Sequence, residues 1–255
     1  MSSTRYREPG IEIHSLDAIT DEYGGANDSW WGMATVHVKA QDGDAPYLVA
    51  NELICCRLAA ALGLPVLPGE VALLPDGRKC WATPQLRHGG NALPPTRHSE
   101  ILAIYSSTVA GALVFDCWVH NDDRHEDNFL FHPRLGMWLI DHERSLAGRS
   151  GEHFSATSNL APLRYHGFST APLSMDDLQY WIRRVRSTPV AVIELALEEA
   201  YERGLLVPKP RVKTLRSLLI DRQGKIESLV SALRNNEKPA SSGPSLKLFS
   251  TEGSR

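Results

Sequence analysis

An α+β fold of two unequal halves is what this sequence predicts, and three observations carry the prediction. From Ile11 to Leu86 the pattern is strand-like, with apolar residues alternating, apart from one helical stretch; from Ser99 onward they recur mostly at three and four. A Gly- and Pro-rich segment, RHGGNALPPT, separates the two patterns. At 255 residues the chain is long enough for one large domain or two lobes.

The elements follow in order. IEIHSL and MATVHVK alternate as strands do, and EVALLPDGRKCWATPQL places two apolar runs around Pro75-Asp76-Gly77, the signature of an antiparallel hairpin. Between them NELICCRLAAALG reads as a helix with Asn51 as its N-cap, ending at Gly63 before Pro65. SEILAIYSSTVAGALVFDCWVH then predicts a long helix from Ser99, with Ile101, Ile104, Tyr105, Val109 and Leu113 on its apolar face. Two short strands, FLF and MWLI, flank a turn at His132-Pro133-Arg134-Leu135-Gly136. Residues 174–186, 189–203 and 211–233 read as helices, with Ser174 and Pro189 suited to their starts. The polar, Pro/Ser/Gly-rich residues 235–255 predict disorder.

Composition narrows the function. A net charge of -3 gives no bulk attraction to nucleic acid or an anionic membrane. No run approaches eighteen apolar residues, and MSSTRYREPG lacks the apolar region of a signal peptide, so a cytoplasmic protein is expected. Cys55, Cys56, Cys80 and Cys117 have no metal-binding spacing and read as buried free thiols.

The chemistry concentrates in VHNDDRHEDNFLFH, residues 119–132, where four acidic residues, an Arg and three His stand between hydrophobic segments. Such a stretch is costly to bury unless each charge has a partner or a ligand. A hairpin of the two short strands would set Asn128, at the start of one, beside Asp141, at the end of the other. An amide oxygen and a carboxylate converging there suit a hard cation such as Mg²⁺. Asp123, five residues before Asn128, is free to accept a proton or orient a hydroxyl. Asp141 follows MWLI and is expected at the buried end of its strand.

DRHEDN followed by LIDHERS resembles the catalytic loop and metal-binding segment of the HipA-like kinases, which share a two-lobed protein-kinase-like architecture with phosphatidylinositol kinases. The resemblance implies a small antiparallel-sheet N-lobe with one helix (11–87), a helical C-lobe (88–234), and ATP and Mg²⁺ as cofactors. It places the substrate-hydroxyl role on Asp123, metal binding on Asn128 and Asp141, and support of the loop on His125. Upstream, YGGANDSWWG supplies a small-residue loop over the phosphates with Gly25 and Gly32. Lys39 ends a strand, Glu52 opens the next helix to hold it, and WATPQL brings Trp81, Thr83 and Gln85 to the adenine. NELICCRLAAALGLPV also resembles the matching helix of short HipA-like proteins, so the likeness runs from about Ile11 to Leu206.

That resemblance implies a serine/threonine protein kinase, members of the family acting as toxins with an antitoxin or regulatory partner. The region begins near residue 11, which leaves no room in this sequence for the extra N-terminal domain of longer members. Ser29, Ser145, Ser150, Ser155, Thr157, Ser158, Ser169 and Thr170 are candidate autophosphorylation sites or ordinary loop hydroxyls. Two other readings stand beside the kinase. One is a non-catalytic nucleotide-binding pseudokinase. The other is a metal-dependent hydrolase using His120, His125, His132, His142 and His153.

Overall fold

A computed structural model describes residues 11, 13–18, 30–88, 91–93, 97–132, 135–154 and 161–235. The first half is built of short antiparallel sheets and one helix. Strand β1 (Ile13–Ala18) pairs with β2 (Trp30–Ala34), while β3 (Val36–Ala40), β4 (Glu70–Leu73) and β5 (Lys79–Pro84) form a three-stranded sheet in the order β3-β5-β4. MATVHVK, expected as one strand, is therefore divided between two sheets at Thr35. That residue's carbonyl accepts Gln85 N–H at 3.1 Å and its Oγ1 meets His14 Nε2 at 2.7 Å, so the chain changes partner there.

Helix α1 (Leu48–Leu62) is apolar nearly all round and buried accordingly. It starts earlier than expected, after Tyr47, and Asn51 is not its cap. Asn51 sits inside the helix at 0% exposure, its Nδ2 donating to the carbonyls of Glu143 at 2.8 Å and Gly148 at 3.1 Å. Packing against a distant segment, rather than capping, sets this end. The other end is as the sequence predicts: Gly63 takes the left-handed conformation (φ 78°), and Leu64 N–H closes onto Ala59 O at 3.0 Å.

Two two-residue strands, β6 (Arg87–His88) and β7 (Asn91–Ala92), give the predicted linker an antiparallel pairing of its own. Helix α2 (His98–Val119) is the core helix of the second half. It breaks regular geometry at Tyr105 (φ −126°, ψ 30°), and Ile104, expected on the apolar face, is 63% exposed. Beyond the kink every residue from Val109 to Val119 is buried, Asp116 included. By length and composition alone α2 could cross a bilayer; here most of it lies inside the fold, against two of the later helices.

The hairpin β8 (Phe129–His132) and β9 (Gly136–Leu139) follows, with Phe129 opposite Leu139. Its second strand bonds the chain leaving α1, Leu139 N–H to Pro65 O at 2.7 Å and Leu67 N–H to Leu139 O at 3.1 Å. Helices α3 (Met175–Arg186), α4 (Val190–Glu202) and α5 (Pro210–Asn235) complete the second lobe. Ser174 Oγ accepts Asp176 N–H at 3.2 Å as the predicted N-cap of α3. One continuous apolar core runs from α1 and β5 through α2 to α5. The predicted phosphate loop with Gly25 and Ser29, and the tail from residue 236, lie outside the described residues.

Candidate functional site

Strand periodicity aims the first set of side chains. Lys39 faces Trp81 and His37 faces Thr83 across the β3–β5 ladder, so all four stand on one side of the sheet. With Gln85, Val66 and Leu139 they line a cavity of about 290 Å³, mostly apolar, closed at its polar end by Lys39, Glu52, Asp141 and His142.

Lys39 is surrounded by acids. Its Nζ lies 2.8 Å from Glu52 Oε1, 2.7 Å from Asp141 Oδ1 and 3.6 Å from Glu143 Oε2. Burial alone would lower the Lys39 pKa, but Glu52 and Asp141 outweigh it and hold the ammonium firmly protonated. Glu52 is buried, which opposes its charge; bonds from His142 and Lys39 overcome that and bring its carboxyl down to about 2. Glu143 moves the other way, raised by burial and by the charge of Asp141. Glu52, Asp141 and Glu143 offer oxygens within 4.8 Å of one another. The centre carries more negative than positive charge and is suited to take up a cation.

Asp141 departs from expectation in one respect: it is not buried at a strand end. β9 stops at Leu139, the chain turns through a left-handed Asp141 (φ 62°), and the carboxylate swings to Lys39 with 31% of its side chain exposed. Aspartate tolerates this conformation better than most residues, at a cost on the order of 1 kcal/mol.

The loop carrying Asp123 and Asn128 is folded around Arg124. Arg124 is fully buried, meets Asp116 with Nε at 2.8 Å, and through Nη1 donates to Asn128 O at 2.8 Å and Ile140 O at 2.6 Å. Asn128 and the residue preceding Asp141 are thereby joined, and Ile140 N–H adds a bond to Asn128 O at 3.2 Å. Asn128 Nδ2 donates to Asp123 O at 2.8 Å; since a carbonyl only accepts, Oδ1 is the atom left for a metal ion. The Asp123 carboxylate is half-exposed, with Arg144 Nε 3.9 Å away.

The structure thus joins Lys39, Glu52 and Asp141 by direct contact and links Asn128 and Asp123 to them through the backbone. Trp81, Thr83 and Gln85 line the cavity. Two of the described residues stand apart. His125 points outward, 42% exposed, with Nδ1 3.6 Å from Asp127; Arg124, not His125, supports the loop from inside. Gly32 lies in β2 beside Ile13, not on the cavity wall, and Gly25 is outside the described residues. Trp30 and Trp31 are exposed at 53% and 67% and line no part of the cavity. Ser145 is fully buried, which removes it as an accessible hydroxyl, whereas Ser150 is exposed and donates to Glu152 at 2.7 Å.

The five histidines do not converge among the described residues. His142 serves Glu52, His132 accepts Leu135 N–H, and His120 meets His153, edge to face at 4.8 Å. Sequence reading missed Arg124, Asp116 and Glu143, and offered His142 only as a metal ligand rather than as the partner of Glu52. Asp116 had a signal, a lone carboxylate within the apolar ALVFDCWV of a core helix, which calls for a buried cation as partner.

No family model and no curated protein matches this sequence. Among solved structures the chain is similar to the proinflammatory kinase CtkA of Helicobacter pylori, with TM-score 0.58, 14% identity, and coverage of 86% of this chain and 95% of that one. It is less similar to HipA of Shewanella oneidensis MR-1, solved with HipB and operator DNA, with TM-score 0.43, 14% identity, and coverage of 93% and 70%. The likeness to CtkA is one of fold: the chain has a two-lobed kinase-like architecture, with small antiparallel sheets and one helix in the first lobe and a helical second lobe.

Proposed function

We propose that this chain is an ATP- and Mg²⁺-dependent phosphotransferase whose acceptor is a serine or threonine hydroxyl of a protein. The observation that carries the reading is the Lys39–Glu52 pair, which also reaches Asp141 and sits at the polar end of an apolar cavity in a kinase-like fold. The cavity fits the group: its apolar walls suit a purine, Lys39 suits phosphate oxygens, and Asn128 Oδ1 with the Asp141 carboxylate form a hard oxygen pair for Mg²⁺. Mg²⁺, when bound, would neutralise charge developing on the transferred phosphoryl group.

The chain's own residues do the rest. Glu52 holds Lys39 in place and protonated, so its cation is present at any physiological pH. Arg124 fixes the backbone on which Asn128 and Asp141 stand, and Asp123, open to solvent, orients the acceptor hydroxyl and takes its proton. By the resemblance noted above, a toxin role and an antitoxin or regulatory partner belong to the same reading.

Calorimetric titration with ATP, with and without Mg²⁺, tests it on the wild-type chain and Asp141→Ala. Mg²⁺-dependent binding abolished by the substitution is the expected result, followed by phosphate transfer to protein when turnover is assayed. Binding without turnover would make the chain a pseudokinase, and no binding in either condition would sink the nucleotide reading.

A further inference from the structure

The carboxylate of Asp116 is enclosed by donors on every side. Arg124 meets it twice, Nε to Oδ2 at 2.8 Å and Nη2 to Oδ1 at 3.2 Å, and Asn121 Nδ2 donates to Oδ1 at 3.0 Å. The last donor comes from far along the chain: His166 Nε2 lies 3.1 Å from Oδ2. All four residues are at most 1% exposed. The His166 tautomer follows from its other nitrogen, since Nδ1 accepts Phe168 N–H at 3.2 Å and cannot itself carry a proton. Nε2 therefore holds the hydrogen and donates it to Asp116, with the ring neutral.

The same short segment grips the loop a second time. Gly167 N–H donates to Arg124 O at 2.9 Å, and a Cβ at this glycine would stand 2.7 Å from that oxygen, so only glycine permits the approach. Phe168 is then buried between His98, stacked at 4.3 Å, and Phe129 at 5.5 Å. Arg124 in turn spans the carbonyls of Asn128 and Ile140.

From this continuous set of contacts we propose that His166 is a positioning residue for phosphoryl transfer, orienting Asp116 and through it Arg124, so that Asn128 and Asp141 stay in register. The proposal rests on the phosphotransferase reading for its catalytic consequence. The positioning itself is measurable without it. A two-point Arg–carboxylate pair retains freedom to tilt about its axis; Asn121 restrains the Oδ1 side, and His166, fixed by its own backbone bond, is the donor that restrains Oδ2 from the far segment.

The test compares wild type, His166→Leu and His166→Gln, since glutamine keeps a donor at the Nε2 position and leucine does not. Hydrogen exchange of the amides in 123–128 and 140–142 is expected to rise at least about tenfold in the leucine variant and to return toward wild type in the glutamine variant. Turnover of Mg-ATP is expected to fall about tenfold or more in His166→Leu, with nucleotide affinity within about threefold of wild type, and to recover in His166→Gln. Unchanged exchange in His166→Leu, or equal damage by both substitutions, would overturn the proposal. Should the wild-type chain itself turn over no nucleotide, the phosphotransferase reading fails alone and the exchange comparison still decides whether His166 positions the loop.

Discussion

Two charge clusters lie close together in this molecule and are built on opposite principles. Around Asp116 one carboxylate meets one guanidinium, an amide and a neutral imidazole, all buried and all matched donor to acceptor. Around Lys39 one ammonium faces three carboxylates, at the edge of a cavity and partly open to solvent. The first is complete without a ligand, and its balance marks it as scaffold. The second has an excess of negative charge that a bound cation would satisfy, which is how a site differs from a support.

Breaking the closed cluster should have the largest effect on the fold. Asp116→Ala leaves Arg124 buried without its carboxylate and is expected to cost about 3–5 kcal/mol of unfolding free energy, read by urea denaturation. The double variant Asp116→Leu with Arg124→Met removes both charges and should be less destabilised than either single change. Equal or greater loss in the double variant would mean the cluster is held by packing rather than by charge matching.

The open cluster should respond in the opposite way. Asp141→Asn removes one of three acids from a partly exposed pair, with Glu52 still on Lys39, and is expected to change stability by less than about 1 kcal/mol. Mg²⁺-dependent nucleotide affinity should nonetheless fall by at least about tenfold on the phosphotransferase reading. A melt of Asp141→Asn resembling that of Asp116→Ala would erase the distinction between the two clusters.

How far the sequence reveals each cluster follows from the same contrast. Lys39, Glu52 and Asp141 were legible chiefly through the resemblance to the HipA-like kinases, whose order of strand Lys, helix Glu and post-strand Asp they match; taken singly, Lys39 and Glu52 read as ordinary surface charges. The scaffold was mostly hidden. Asn51 looked like a helix cap, although its amide spans over ninety residues to reach Glu143 O, and His166 sits in RYHGFST with no periodicity to mark it. Long-range polar contacts leave no local signature, and the split of MATVHVK at Thr35 was invisible because alternation continues across it.

Acid should dissect the molecule in a set order. Burial, reinforced by the charges of Arg222 and His153, brings His120 down to about 3 from an ordinary 6.5. The unfolded chain therefore binds a proton that the folded chain refuses, and stability is lost as pH falls from 6.5 toward 3. Glu52 follows: its folded value of about 2 against an ordinary 4.5 gives stability that is present above 4.5 and lost as pH falls toward 2. Asp116, held lower still by Arg124 and His166 despite its burial, should yield last. Urea midpoints measured across this range should lose the upper window in His120→Asn, asparagine tolerating that residue's left-handed backbone, and the middle one in Glu52→Gln.

The smallest effect is the sharpest on the idea of excess charge. In the open cluster the Glu143 pKa is raised, by burial first and by Asp141 next, despite Lys39 and Arg149 nearby. Its sign is the reverse of Glu52: the folded chain keeps the proton to higher pH than the unfolded chain, so Glu143 detracts from stability as pH rises past the ordinary carboxylate range. Glu143→Gln keeps the shape and removes the surplus charge, and is expected to stabilise the fold at pH 7 by up to about 1 kcal/mol, with the gain vanishing below about pH 4.5. Destabilisation at pH 7 would show that its contacts with Lys39 at 3.6 Å and Arg149 at 3.2 Å outweigh the repulsion. In that case the Lys39 centre would be as internally balanced as the one around Asp116, and its claim to be awaiting a cation would fail.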